Sequence, residues 1–338
     1  MRKFALLALP IAMFSCKSDP DPIDNSEKGY DEKILIMNEG QFQVGDADLT
    51  AYDPETGSVE QAVFFNKNSV PLGDILQSGI TYDGKTYLVL NNSGKLMQVD
   101  AETFEYQDQL DGLNLPRHMI IHNNQGYLVT WESFTGPGKL LKIDLSDLSI
   151  LDSVQLGVLP EAPVVIENEI WIPNSGDSTV TVVDLNMNDT TLYFGAHAPN
   201  SIQAFGNQVL VLHQGRLSFF GTPTDAAMVR VDAAFKMARN TVSWVHNDAT
   251  VGKLVKVNET QAAYVYNGIN LWNVSNDQTG ASGFSSENIY GLGYDQSKFY
   301  LGISPAFDQA GYVLIADENL NRMDSIPAGV GPNGFIFP

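Results

Sequence analysis

A strand ending in Asp or Asn and followed by a turn recurs along most of the chain. It stands at Asp53, Asp100, Asp144, Asp184, Asp232, Asn273 and Asp317, with spacings of 47, 44, 40, 48, 41 and 44 residues. Asp and Asn suit such a position because their short side chains accept hydrogen bonds from turn backbone groups. A single instance indicates only a turn, whereas seven in near-constant register indicate a repeat architecture.

Each repeat contains four short strand-like runs separated by turn residues. In the third unit, "LPRHMIIH" follows a turn, "GYLVTW" comes next, and "LLKID" precedes the Asp turn. Four antiparallel strands in 40 to 45 residues are typical of a β-propeller blade. The sequence therefore predicts an all-β fold, a seven-bladed β-propeller, and it fits a pair of β-sandwiches or a β-helix less well.

The two ends of the repeat region complement each other. The chain ends in "GPNGFIFP", which matches the first strand of a unit, whereas the first unit begins at Lys33 with a second strand, "KILIMNEG". We therefore expect Asn333 to Phe337 to complete the blade that begins at Lys33. Such an N/C-terminal strand clasp would leave no open sheet edge in the ring.

The first 32 residues do not share this pattern. Residues 1–15 carry two basic residues and a short apolar stretch that ends in Ser15, directly before Cys16. This segment resembles a bacterial lipoprotein signal, which implies lipidation of Cys16; an ordinary secretory signal with a chance cysteine is the alternative. Residues 16–32 are acidic and aperiodic and predict a flexible tether. Residues 33–338 form the predicted single propeller domain.

Charge and cysteine content exclude some functions. The formal net charge is −21 and Cys16 is the one cysteine, so nucleic-acid binding is disfavoured and an intrachain disulfide is impossible. No segment after the signal reaches about 18 unbroken apolar residues, so we expect contact with a membrane through the lipid anchor alone. The acidic stretch after Cys16 resembles an export signal of surface lipoproteins in Bacteroidetes. It implies display on the cell surface, with a periplasm-facing location as the alternative.

The loops between second and third strands must share one face with the links between blades, because strand direction alternates within a blade. The four long loops of this kind all contain Phe. Exposed aromatic rings together with amide groups are typical of a ligand-binding surface. The candidate contact residues on this face are Asn38, Glu39, Phe42, Gln77, Asn92, Arg117, His118, Trp131, Phe134, Glu161, Asn174, Asn200, His213, Phe219, Phe220, Asn288 and Phe307.

Catalytic motifs are missing from the sequence. It contains neither a G-x-S-x-G elbow nor an H-E-x-x-H motif, and its five His residues have no metal-ligand spacing. We therefore expect a protein without catalytic residues, cofactor or bound metal. One enzymatic alternative stays open, since Glu161, Asn200, Asn288 and Asn333 stand at comparable blade starts and are suitable calcium ligands in a lactonase-like propeller.

The stretches "MNEGQFQVGDADLTAYDPETG" and "PLGDILQSGITYDGKTYLVLNNSGKLMQVD" resemble the YncE-like seven-bladed propellers, and among these the surface lipoproteins of Bacteroidetes. The resemblance runs from about Lys33 to the C-terminus and extends to the cobalamin-capturing BtuG family. It implies a non-enzymatic lipoprotein that binds a corrinoid and passes it to a TonB-dependent outer-membrane transporter. Phe loops would cover the ring, amides would pair with its amide arms, and Arg117 would meet its phosphate. A different transporter cargo, such as a siderophore, haem or an oligosaccharide, is the alternative.

Overall fold

The computed structural model describes residues 28–218, 222–245, 251–285 and 287–338. These residues form seven four-stranded antiparallel sheets, which confirms the predicted seven-bladed propeller. Each sheet is one blade, and its first strand packs against the first strands of neighbouring blades around the central axis. A short helix, α1 (Val63–Asn68), and a 3₁₀ turn (Tyr30–Glu32) accompany the strands.

The strands follow one another in chain order within each blade except the first. Blade one contains β1 (Ile34–Asn38), β2 (Asp48–Tyr52) and β3 (Val59–Glu60), and blade two contains β4 (Leu76–Tyr82), β5 (Lys85–Leu90), β6 (Lys95–Asp100) and β7 (Tyr106–Leu110). Blade three contains β8 (Pro116–His122), β9 (Gln125–Thr130), β10 (Pro137–Asp144) and β11 (Ile150–Val158). Blade four contains β12 (Val164–Ile166), β13 (Glu169–Asn174), β14 (Thr179–Asp184) and β15 (Asp189–Leu192).

The remaining blades repeat this order. Blade five contains β16 (Pro199–Phe205), β17 (Gln208–His213), β18 (Ala226–Asp232) and β19 (Met237–Trp244). Blade six contains β20 (Val251–Asn258), β21 (Gln261–Tyr266), β22 (Ile269–Asn273) and β23 (Gln278–Gly283). Blade seven contains β24 (Ile289–Asp295), β25 (Lys298–Ile303), β26 (Ala310–Asp317) and β27 (Arg322–Val330), and the last strand, β28 (Pro332–Ile336), returns to blade one.

The terminal strand clasp is present. Strand β28 pairs antiparallel with β1, with Leu35 opposite Ile336 and Ile36 opposite Phe335. It therefore supplies the innermost strand of blade one, as the sequence predicts. Asn38 strengthens this closure, because its side chain donates to Thr50 Oγ1 at 3.0 Å and accepts from Gly329 N at 2.9 Å on the neighbouring blade.

The repeated Asp positions lie where third and fourth strands join, and their side chains hold the turns. Asp53 Oδ1 accepts from the backbone N–H of Glu55 at 2.9 Å, and Asp144 Oδ1 accepts from Ser146 at 2.8 Å. Asn273 does the same with Ser275 at 2.9 Å. The repeat is therefore produced by local turn chemistry that needs no contact between blades.

Apolar side chains of adjacent blades form the core. Trp171 of blade four is fully buried with Val209 and Val229 of blade five. Trp272 of blade six packs with Leu212 of blade five. Each blade is thus buried on both sides by its neighbours, which is how a ring of sheets removes apolar surface from water.

The described chain begins shortly before β1. Tyr30, which the sequence assigns to the end of the tether, is buried against Phe104 and bonds through its hydroxyl to Glu60 at 2.9 Å. The first element of the described chain thus begins three residues before the predicted domain boundary at residue 33. Cys16, the signal segment and most of the tether lie outside the described residues. Within the described part of the chain, no helix is long and apolar enough to cross a membrane.

Candidate functional site

The loops that join second and third strands lie on one face of the disc, together with the links between blades; we call it the loop face. Three of its phenylalanines are exposed, with 60% of Phe42, 68% of Phe134 and 56% of Phe307 accessible. They belong to the loops after β1, β9 and β25, in blades one, three and seven. The predicted Phe219 and Phe220 lie outside the described residues.

Three predicted contact residues lie beneath the loop face. Asn174 and His213 are fully buried and Asn38 is 4% exposed. Each is the last residue of a second strand, where it points into the packing between strands. Asn174, for example, donates to the hydroxyls of Thr179 and Thr181, both at 2.9 Å. The three side chains are enclosed by protein in this structure, and their contact with a ligand stays a prediction.

The innermost strands share an irregularity at the loop face. Their pairing with the second strand shifts at the second or third residue, for example between Leu76 and Ser78, between Pro116 and His118, and between Ile289 and Gly291. A β-bulge of this kind leaves one residue unpaired and turns its side chain away from the sheet. Six blades place Gln77, Arg117, Asn200, Lys253, Tyr290 and Asn333 at this irregularity. In blade four, Glu161 takes the corresponding place before β12, directly after the isolated bridge between Pro160 and Asn174. We call these seven residues the inner ring.

Side chains of the inner ring link several blades at the mouth of the central channel, most of them neighbours in the ring. Arg117 Nη2 bonds Glu161 Oε2 at 2.9 Å, and its Nη1 donates to Gln77. Lys253 Nζ donates to the backbone carbonyl of Asn333 at 3.0 Å, and the amide of Asn333 donates to Leu76 O at 2.8 Å. Contacts therefore connect blade six to blade one, one to two, two to three and three to four.

Glu39 joins the inner ring from the end of β1. Its carboxylate accepts a hydrogen bond from the hydroxyl of Tyr290, and it is 8% exposed. Burial raises the pKa of Glu39, and the bond from Tyr290, the charge of Lys253 and that of Arg117 act against this rise. Burial together with the Glu39 charge raises the pKa of Tyr290, so this phenol stays protonated and donates.

Aromatic side chains connect the exposed loops to the inner ring. Phe134 packs edge-on against Trp131 at a centroid distance of 5.9 Å, and the guanidinium of Arg117 lies 4.0 Å from the centre of the Trp131 ring. Phe307 packs edge-on against Tyr290 at 5.1 Å. The exposed rings of Phe134 and Phe307 are therefore in contact, directly or through Trp131, with the inner-ring side chains of Arg117 and Tyr290.

Arg117 and His118 are more constrained than the sequence suggests. Both terminal nitrogens of Arg117 are bonded within the ring, and the guanidinium lies over the Trp131 ring. The contact of Arg117 with a phosphate stays a prediction. Enclosure by protein, and then the charges of Arg117 and Lys253, hold the pKa of His118 well below its usual range. A neutral imidazole therefore lies 3.8 Å from Glu161.

Sequence reasoning missed Lys253 and Tyr290 as site residues. Lys253 is exposed to solvent although protein surrounds it on several sides. Enclosure lowers its pKa, while the carboxylate of Glu39 acts in the opposite direction. The available signal was positional, since Tyr290 stands where other blades place Arg117 and Asn200, and Lys253 stands one residue farther along its strand.

Two predicted residues lie farther out on the loop face. Asn92 is exposed and bonds through its amide to Asp74, and Asn288 is exposed and donates to Ser304 O at 2.6 Å. Asn288 precedes Tyr290 by two residues and is not part of the inner ring. In the described part of the chain, no group of three or more His, Cys, Asp or Glu residues is arranged to hold a metal ion. The calcium alternative stays a prediction.

A cavity of about 650 Å³ opens on the loop face over blades three to five. Phe134, Leu159, Ser178, His197 and Gln214 are among the residues that line it. On this side of the ring, no hydrogen bond joins the described side chains of Glu161 and Asn200, which belong to blades four and five. The volume is in the range of small-molecule sites, and an aromatic rim with scattered polar groups is typical of them.

Known proteins agree with this architecture. A family model described as a domain of unknown function, DUF5074, matches residues 32–243. The chain belongs to the DUF5074 family. That match covers three strands of blade one, blades two to four and most of the fifth, including Glu39, Arg117 and Glu161 of the site. No curated protein matches the chain at a significant level.

Solved structures resemble the chain in fold. A Quinonprotein alcohol dehydrogenase-like protein from Bacteroides thetaiotaomicron is 14% identical, with a TM-score of 0.66 over 91% of this chain and 79% of that one. A functionally unknown protein from Desulfotomaculum acetoxidans is 12% identical, with a TM-score of 0.66 over 91% and 99%. BamB from Moraxella catarrhalis is 12% identical, with a TM-score of 0.54 over 80% and 78%. At these identities the likeness shows the fold alone.

Proposed function

We propose that this DUF5074 protein captures a corrinoid at its loop face without catalysing a reaction. In this proposal it is a lipoprotein, anchored through Cys16 and displayed on the outer membrane, that passes the ligand to a TonB-dependent transporter. The observation that carries the proposal is the exposure of three phenylalanines from three separate loops around one channel mouth. Large exposed apolar side chains on one surface are typical of ligand-binding and interaction sites.

The chemistry of the loop face suits a wide, flat ligand with amide arms. Phe42, Phe134 and Phe307 offer apolar surface to a ring system. The amides of Gln77 and Asn200 and the ammonium of Lys253 offer donors and acceptors nearer the axis. The cavity over blades three to five holds about 650 Å³. A corrinoid is larger than this cavity, so it would extend toward the loops of blades one and seven.

Binding of cyanocobalamin is the decisive test. The purified full-length protein is titrated with cyanocobalamin by calorimetry, and retention of the coloured ligand on immobilised protein is read by absorbance. We expect a saturable complex with one ligand per chain. If no heat and no retained colour are found at protein concentrations far above any useful dissociation constant, the corrinoid proposal is wrong. Haem, a ferric siderophore and an oligosaccharide mixture, tested in the same format, then distinguish another cargo.

A further inference from the structure

Lys253 has donors that the protein does not use. Its ammonium lies 5.9 Å from the centre of the Tyr290 ring and makes one hydrogen bond, to Asn333 O at 3.0 Å. An ammonium carries three donors. Among the described residues Lys253 forms no ion pair, although Lys256, on the same strand, pairs with Glu259 at 2.7 Å. Two N–H groups therefore face the channel mouth without a protein acceptor.

Two hydrogen-bond acceptors of the inner ring also lack a donor among the described residues. The amide nitrogen of Asn333 donates to Leu76 O, and that of Asn200 donates to Val251 O at 2.6 Å, which fixes both amide orientations. Their Oδ1 atoms are buried and have no hydrogen-bond partner in the described part of the chain. A buried acceptor without a partner costs free energy, so native proteins rarely leave one except where water or a ligand supplies the donor.

The charge around these groups selects among ligands. The inner ring carries Arg117, Lys253 and Glu161, and Glu39 joins it, so the formal charges cancel. A phosphate or carboxylate would accept from Lys253 but would place its oxygens against the Asn333 Oδ1 acceptor. A metal cation would satisfy that acceptor but would be repelled by Arg117 and Lys253. A neutral group that both donates and accepts meets neither penalty.

We propose that the inner ring is a subsite for one primary carboxamide of the ligand. The carboxamide N–H₂ donates to Asn333 Oδ1 and its carbonyl accepts from Lys253 Nζ. The bond from Lys253 to the backbone carbonyl of Asn333 brings these two residues together at the channel mouth. Asn200 Oδ1 offers a second acceptor on blade five. The inference rests on the proposed function in that a corrinoid carries such amide arms at its periphery.

Cyanocobalamin binding to Lys253 variants tests this subsite. Lys253→Met removes the donors and keeps a flexible chain, and we expect roughly tenfold weaker binding with the fold retained by circular dichroism. Lys253→Arg should restore most of the loss, and Lys256→Met is the matched control with unchanged affinity. A monocarboxylic acid derivative of cyanocobalamin that lacks the bound amide should bind the wild type more weakly than cyanocobalamin does. The Lys253→Met variant should bind the two compounds with equal affinity. Unchanged affinity of Lys253→Met would overturn the subsite and leave corrinoid capture intact.

A second probe separates the subsite from the ligand's identity. Acetamide and acetate are titrated into full-length protein that carries ¹⁵N-labelled lysine, and the ammonium signal of Lys253 is followed by NMR. Acetamide should shift this signal saturably and acetate should not, and the signal of Lys256 should stay unmoved by either. Equal responses to both probes, or none, mean that the unused groups bind only water and that the proposal is wrong even if cyanocobalamin binds elsewhere on the loop face.

Discussion

The guanidinium of Arg117 bonds Glu161 at 2.9 Å and joins blades three and four at the channel mouth. Both side chains are 15% exposed, and the guanidinium also stacks on Trp131. The pair therefore sits in a partly desolvated position, where removing one partner leaves the other charge poorly compensated.

Glu161→Gln should lower the free energy of unfolding by about 2–4 kcal/mol, because the largely enclosed guanidinium of Arg117 then has lost its counter-ion. Lys139→Met is the control, since Lys139 is 46% exposed and its pair with Glu132 is on the surface. That change should cost less than about 1 kcal/mol. Urea denaturation followed by tryptophan fluorescence measures both, and equal shifts in the two variants would contradict the structural role of Arg117 and Glu161.

Phe42→Ala and Phe134→Ala should each weaken cyanocobalamin binding roughly tenfold, because each loses about 1–2 kcal/mol of apolar burial against the ligand. Neither should lower the melting temperature, since both rings are exposed in the free protein. Phe235→Ala is a matched control: its ring is 68% exposed but follows Asp232 in a turn on the opposite face. If calorimetry finds that all three variants bind as the wild type does, the loop phenylalanines do not form the site.

The terminal clasp should carry a measurable part of the stability. Ile336 of β28 is 7% exposed and packs in the cluster that contains Leu35 and Met37. Ile336→Ala should destabilise the protein by about 2–4 kcal/mol through lost burial and a residual cavity. Ile150→Ala, at a site that is 48% exposed, should have little effect. Thermal unfolding of the two variants tests this, and a stable Ile336→Ala protein would mean that closure does not depend on β28.

His213 should make the protein less stable in acid. Burial lowers its pKa from 6.5 to about 4, so the unfolded chain binds a proton at a pH where the folded chain does not. Its contribution to stability is constant above pH 6.5 and falls by about 3 kcal/mol as the pH drops to about 4. The unfolding free energies of the wild type and of His213→Leu are measured from pH 7 to 4. The free energy of the wild type should fall relative to that of the variant as the pH drops. A difference that stays constant with pH would show that His213 does not titrate in this way.

Local chemistry explains why the fold could be read from the sequence. The Asp and Asn turns, such as Asp53 and Asn273, use groups only two to four residues apart, and the alternating strands between them repeat with the same period. The clasp was also predictable, because the chain begins with a second strand and ends with a first one. The faces of the loops then followed from alternating strand direction alone, which placed Phe42, Phe134 and Phe307 correctly.

Burial beneath the loops was harder to predict. Asn174 and His213 end second strands whose preceding residues are already apolar, so period and composition do not say whether the last polar side chain faces solvent or packing. The structure buries both. A polar residue at a strand end is exposed or enclosed according to the loops that cross it, and those come from other parts of the chain.

The sequence by itself determined the repeat, the number of blades and the face that carries the aromatic loops, because each depends on turns and strand alternation within about 45 residues. Tertiary structure alone decided the inner ring. Glu39 meets Tyr290 across 251 positions of sequence, and Lys253 meets Asn333 across 80. Such contacts exist because a bulge at the start of six of the inner strands, and the link before β12 in blade four, place one side chain each near the channel mouth, where ring closure brings the blades together.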